Sequence, residues 1–479
     1  MRKKFIVLGA LGLSLTLGAC GGGGGGGGSD GPDDGSGTPD RYYYRLVHAL
    51  PDASLLTLKA NEIAITAAID YARSSTMTSR GLGGTSASIE FGVNAIGPEG
   101  ETIPDILTSQ LDIEGNTEYS FVVAGQFDAP VMIPVVNPRR DRPFGGLFFQ
   151  FVHAASSIGA LDVYVTSPDT DLASAAPFAT LAPAGYSESL EIPYENQRIR
   201  LTEPGTLNVV FDSATLAFND DALDPDDGIE WLITITDNLF AGGSPAKLIV
   251  TDGASAEQIL ARDQQSAVRV IHASEDFPVV DAVIGDNFAS PLATSLSYQE
   301  RTVQGLVRAG RASLNFTEPG NPGTFVYEDT ISTGVGVEHL LFLLVDGDRL
   351  TSLVTGGEPR SVATEAWVRF INVAPDSEFF SVYMGETDND PPLEDDRRVR
   401  DLAYTRNSGY VRLPPGTYQV RMTERFYEGN DDPNEAEETT TIGPFEYDAP
   451  AGSVKTFLIM PPEVAEGPET LVLFDDLLP

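Results

Sequence analysis

From Arg41 onward the chain is a succession of short runs in which apolar and polar residues alternate, bounded by clusters of Gly, Pro, Asn, Asp and Ser. Leu161-Asp162-Val163-Tyr164-Val165 and Val280-Asp281-Ala282-Val283-Ile284 put every second side chain on one face, the period of a half-buried β-strand. Turn pairs such as Pro51-Asp52, Ser156-Ser157, Glu275-Asp276 and Pro375-Asp376 precede such runs. Farther on come paired apolar runs at 119–124 and 131–136, 231–236 and 247–250, 340–345 and 350–354, and 455–460 and 470–474. No helical period is sustained, and only the segment from Ser255 reads as a turn or two of helix. The pattern predicts an all-β chain.

The runs recur in register. Arg45-Leu46-Val47-His48-Ala49, Gln150-Phe151-Val152-His153-Ala154, Arg269-Val270-Ile271-His272-Ala273 and Arg369-Phe370-Ile371-Asn372-Val373 align without gaps, at spacings of 105, 119 and 100 residues. Those spacings are domain-sized, so the repeat is a tandem domain and not a solenoid. Nine residues after each His or Asn stand Thr57, Asp162, Asp281 and Ser381, each inside a second strand. A tyrosine follows in each copy (Tyr71, Tyr186, Tyr298, Tyr404), and Thr202-Glu203-Pro204-Gly205 is echoed at Thr317-Glu318-Pro319-Gly320. About seven short strands per hundred residues, at this size, predict tandem immunoglobulin-like β-sandwich domains at 41–140, 141–263, 264–361 and 362–479.

The opening V-R-V-x-H-A-[SP]-x-[DE], the V-D-V-Y-like strand and the mid-domain tyrosine resemble a bacterial domain family of unknown function. Its members are anchored or secreted envelope proteins with two or more immunoglobulin-like copies. The likeness covers all four copies and is nearest around 268–276. Thr57 and Asn372 are its departures. It implies a fold and a compartment, and no activity.

Ahead of the repeats, Arg2, Lys3 and Lys4 precede an apolar run at 5–17, and Leu17-Gly18-Ala19-Cys20 ends it. The run is too short to span a bilayer, and its three-part pattern reads as an export signal at 1–19. Cys20, the single cysteine, resembles the acylated cysteine of a bacterial lipobox. Residues 20–40 would then be a lipidated cysteine and a disordered Gly/Asp tether, slack behind a long row of modules. Gly21 after the cysteine is the pattern sorted to the outer membrane. The net charge of −40 excludes a nucleic-acid partner, which needs clustered Lys and Arg.

Candidate chemistry is sparse. His48, His153 and His272 share one position with Asn372, on a face otherwise apolar, which reads as a structural hydrogen bond to the following turn at the core rim. Asp162 and Asp281 are positioned in the sequence to pair with that His, as an acid–base dyad or a strand-edge polar pair. Asp220, Asp224, Asp226 and Asp227 form an oxygen-rich loop suited to Ca²⁺, though without helix-loop-helix spacing. The acidic stretches at 386–396 and 428–438 are similar, the first of them partly neutralised by Arg397, Arg398 and Arg400 directly after it. Tyr42, Tyr43 and Tyr44 alternate faces and so do not build one stacking platform for sugars. No nucleophile elbow, zinc motif, phosphate loop or catalytic thiol is present. The expectation is a non-enzymatic, lipid-anchored envelope protein without a cofactor, presenting its modules to a surface protein or polysaccharide. The alternatives are a glycan hydrolase with its site at a domain junction and a calcium-stiffened spacer.

Overall fold

The computed structural model describes residues 40–139, 146–217, 229–346, 349–357, 359–375, 379–387, 393–426, 437–461 and 470–477. These residues are almost wholly β-structure, arranged as repeated sandwiches. The first repeat has eight strands: Arg41–His48, Leu55–Ala60, Ile63–Ala64, Thr78–Gly81, Ser86–Ile96, Thr102–Glu114, Thr117–Gln126 and Ala129–Pro138. Numbered by place within a repeat, they form one sheet of order 4-1-7-8 and a second of order 3-2-5-6. The same two orders recur in the repeats that begin at Leu147, Gln265 and Ala366, with a ninth strand added to the first sheet of the second repeat. The first and second strands lie in different sheets, whereas the constant-type immunoglobulin order keeps them together. Strand one runs parallel to strand seven in every copy, with His48 opposite Val123, His153 opposite Ile235, His272 opposite Leu343 and Asn372 opposite Ile459.

Alternation within strand one divides its side chains between two cores. Leu46 packs inside the first sandwich with Leu56, Phe91, Phe121 and Val123. Val47 and Ala49 point the other way and join Val122, Val152, Ala154, Leu232 and Ile249, so the first and second repeats pack face to face. The third and fourth repeats do the same through Ile271, Leu340, Phe342, Ile371, Leu458 and Met460. The inner strands of the 4-1-7-8 sheets are thus covered on both faces, and strand one is buried over nearly its whole length even at Arg45, Gln150, Arg269 and Arg369. Each aliphatic side chain buried in these shared cores contributes about 1.5–3 kcal/mol relative to exposure. The repeats form two packed pairs, which corrects the expectation of a simple row of modules.

Two further expectations change. The segment after Ser255 is the strand Ala256–Ile259, antiparallel to Leu248–Thr251. There the open sheet edge supplies the backbone partners that an isolated helical turn would lack, and Ala256 joins the shared core. Tyr186 is out of register with the other tyrosines. Ala72, Ala184, Gln299 and Thr405 are the matched left-handed residues, each donating its N–H to the carbonyl of His48, His153, His272 or Asn372. Tyr71, Tyr298 and Tyr404 precede that position, but Pro183 does so in the second repeat.

Because Val152 lies wholly inside the shared core, Val152→Asp would strand an unpaired carboxylate there. It is expected to lower unfolding free energy by on the order of 3 kcal/mol in urea titration. The same change at half-exposed Val131 should stay within about 0.5 kcal/mol.

Candidate functional site

The repeated His is fully buried, not at the rim. The His48 Nε2 lies 2.8 Å from the Ser54 carbonyl, His153 Nε2 2.7 Å from Gly159 and His272 Nε2 3.1 Å from Pro278, each six residues on. The carbonyl fixes a proton on Nε2, and in the first copy Leu50 N–H donates to Nδ1 at 3.3 Å, which only a neutral ring can accept. Asn372 reproduces the second half: its Oδ1 accepts Ala374 N–H at 3.0 Å, while Nδ2 donates to the Leu402 carbonyl. Burial lowers the pKa of all three imidazoles, that of His48 to about 4. The position is a neutral clip between the end of strand one and the turn that follows.

No His–Asp dyad forms. Leu161 and Val163 enter the core of the second repeat, so the intervening Asp162 points out of the opposite face of the second sheet, away from His153. Its carboxylate accepts Thr180 Oγ1–H at 2.5 Å and Gly205 N–H at 2.7 Å. Asp281 accepts Ser295 N–H at 2.7 Å and Gly320 N–H at 2.8 Å. Both aspartates therefore tie down the Thr-Glu-Pro-Gly turn. That turn is absent from the first and fourth copies, which carry Thr57 and Ser381 instead.

A recurring hydroxyl escaped the sequence reading. Ser75, Ser187, Thr302 and Ser408 each accept the N–H of a first-strand residue (Leu46, Phe151, Val270, Phe370) at 2.9–3.0 Å. Each stands three residues after the left-handed residue, but at a different distance from the His, so gapless alignment does not reveal it.

The four repeats meet around a cavity of about 370 Å³. Its walls include Asp52 of the first repeat, Phe240 of the second, Glu338 of the third, Arg360 of the connection and Asp476 of the fourth. Arg360 fastens it: Nη1 donates to the Pro51 and Ala53 carbonyls at 3.0 and 2.6 Å, and Nη2 donates to Asp70 at 2.7 Å. Gly336, at φ +68°, lets Leu260 and Phe240 approach to where a Cβ would clash at 2.8–2.9 Å. Both carboxylates deep in this junction are engaged. Glu338 pairs with Arg269 at 3.1 Å, although burial still raises its pKa. Asp476 accepts from Thr456 at 2.6 Å and Tyr410 at 2.9 Å, and faces Arg369 at 3.3 Å.

The remaining candidates are dispersed. Cys20, Asp220, Asp224, Asp226 and Asp227 lie outside the described residues. Among the described residues no group of three or more His, Cys, Asp or Glu could hold a metal ion, and no helix is long and apolar enough to cross a membrane. Tyr42 and Tyr44 are buried in the first core, and Tyr43 carries Arg139 over its ring at 4.0 Å.

Two outcomes follow from this geometry. The unfolded chain protonates its histidines near pH 6.5 while buried His48 resists until about pH 4. The neutral ring's stabilisation is complete above pH 6.5 and is lost as pH falls toward 4. His48→Asn, which keeps the acceptor and cannot titrate there, should flatten the fall of melting temperature across that window, whereas an unchanged slope would remove the burial from the explanation. Arg360→Ala leaves three acceptors without their cation and should cost on the order of 3 kcal/mol in urea unfolding, with Arg360→Lys between it and the unaltered chain.

Comparison with known proteins bears on the repeats alone. Residues 43–164 and 366–479 match the family model described as Domain of unknown function (DUF4397). The first match runs from within the first strand of the first repeat to within the second strand of the second. A search of curated proteins returns no match. Solved structures with a likeness include the Bacillus anthracis TIE protein, at 9% identity over 87% of this chain and 68% of that one, with a TM-score of 0.16. Another is the multi-modular glycogen-degrading pneumococcal virulence factor SpuA, at 9% identity, 83% and 37% coverage and a TM-score of 0.15. Likenesses that faint carry no argument about activity. The chain is a repeated-domain protein in which two segments, at the first and fourth repeats, are similar to a domain family of unknown function.

Proposed function

We propose that this is a bacterial envelope lipoprotein, held at the outer membrane by acyl chains on Cys20, whose paired sandwiches present a stiff, non-enzymatic surface for a protein or polysaccharide partner. The observation that supports this best is the two-sided burial of the 4-1-7-8 sheets, which fixes each repeat against its neighbour. The second sheets are left to face outward, and along Thr102–Glu114 and Asn321–Thr333 most residues are exposed or half-buried. A rigid scaffold with binding on its outer faces and end loops is the usual use of such architecture.

The hydrolase alternative draws support from the junction cavity, because Glu338 and Asp476 both line it. Their ion pairs and hydrogen bonds give them structural work, so the binding role is the better supported of the two. The calcium-spacer reading rests on Asp220, Asp224, Asp226 and Asp227, which lie outside the described residues. Cells fed radiolabelled palmitate are expected to label the unaltered protein and not Cys20→Ser, with the label in the outer-membrane fraction. Equal labelling of both, or a soluble unlabelled protein, would exclude the anchor.

A further inference from the structure

The second repeat carries an arginine cluster on the outer face of its second sheet, in a chain with 70 acidic and only 30 basic residues. In the strand Gln197–Thr202, Ile199 and Leu201 enter the core, so Arg198 and Arg200 project from the opposite face. Arg262, from the connection to the third repeat, reaches the same place. The three guanidinium groups line an open groove of about 690 Å³ that is also bordered by Leu207, Val209 and Asp212.

One carboxylate serves two of these cations. Asp212 accepts Arg198 Nε–H at 2.9 Å and Nη2–H at 2.5 Å, and Arg262 Nε approaches it at 3.2 Å. Arg200 is different. It is only 6% exposed, and its Nη2 donates to two neutral oxygens, Thr166 Oγ1 at 2.8 Å and the Thr170 carbonyl at 3.0 Å. Its Nε is buried with no hydrogen-bond partner among the described residues. A guanidinium has five donors and a fixed planar fork, so a buried Nε–H without a hydrogen bond carries a desolvation cost. Burial first, and then the neighbouring Arg198, lower the Arg200 pKa, which Asp212 and Asp171 offset only in part.

The hydrogen bonds of Arg200 go to neither Asp171 nor Asp263. The Asp171 Oδ1 accepts Ala173 N–H at 3.1 Å, and Asp171 and Asp263 are both exposed to solvent. Beside the cations, Leu207 and Val209 are 55% and 46% exposed. They form an apolar wall next to a cationic floor, which suits a molecule with an anionic group on an apolar ring face.

We propose that this groove binds the carboxylate or sulfate of an acidic sugar, with Arg200 and Arg262 holding the anion and Leu207 and Val209 the ring face. Planar carboxylates take arginine forks in two-point contact. The chain's negative field offers no long-range attraction, so recognition rests on these short contacts and weakens as salt screens them. The site stands whether or not the chain is lipidated.

Calorimetric titration of the chain with sodium glucuronate, sodium sulfate and glucose tests it. Glucuronate should bind with a dissociation constant in the millimolar range or below and sulfate more weakly, and glucose should give no heat. Arg262→Gln, at a half-exposed residue, should fold as before and weaken glucuronate about tenfold. Arg200→Gln should abolish binding, with its melting temperature recorded to show that the fold persists. A polyuronate that binds with the same Arg262 dependence identifies a polysaccharide as the source of the group, whereas binding of the monomer alone identifies a free acid. Absence of glucuronate and sulfate binding, or binding indifferent to Arg262→Gln, would overturn the proposal.

Discussion

Strand one of each repeat is buried on both sides over nearly its whole length. Leu46 and His48 look into their own sandwich while Val47 and Ala49 look into the neighbour's, and the other repeats divide their residues in the same way. The two inner strands of such a sheet are shielded from water, so most polar groups along them are held by protein partners. That constraint accounts for the clip at His48, His153, His272 and Asn372, and for the hydroxyls of Ser75, Ser187, Thr302 and Ser408. It also places the buried pairs of Arg269 with Glu338 and Arg369 with Asp476 inside the second repeat pair.

Buried ion pairs of this kind contribute little net stability, because desolvation consumes most of the Coulombic gain. Their effect is on geometry: removing one partner leaves a charge with nowhere to go. Arg360 acts in the same way between the pairs, converting the backbone carbonyls of the first repeat into fixed points. A chain with one cysteine cannot staple its domains by disulfides within itself, and apolar faces with engaged charges take over that role.

How much of this was legible depended on how local each signal was. Strand alternation and the recurrent His lie within a few residues of each other, so the all-β reading and the repeats could be seen by laying Arg269 to Ala273 beside its three counterparts. The pairing of sheets could not, because Val47, Val152, Ile271 and Ile371 read simply as strand residues until something covers them. Asp162 misled for a related reason: nearness in sequence to His153 said nothing about facing, although Leu161 and Val163 already assign it to the opposite face. The hydroxyl position was hidden by insertions of unequal length, and the Arg198–Arg200–Arg262 groove by the long separation of its third member. Arg360 gave no local sign, since its partners lie some three hundred residues earlier.

The four sandwiches pack into one block, two-faced sheets joining them in pairs and the Arg360 junction joining the pairs. Small-angle X-ray scattering from the chain beginning at Asp40 tests it most directly. The account predicts a radius of gyration near that of one compact body, about 22 Å for a chain of this length, and a single-peaked distance distribution. A value of several tens of ångströms with a long tail, as from four independent modules on a string, would contradict it.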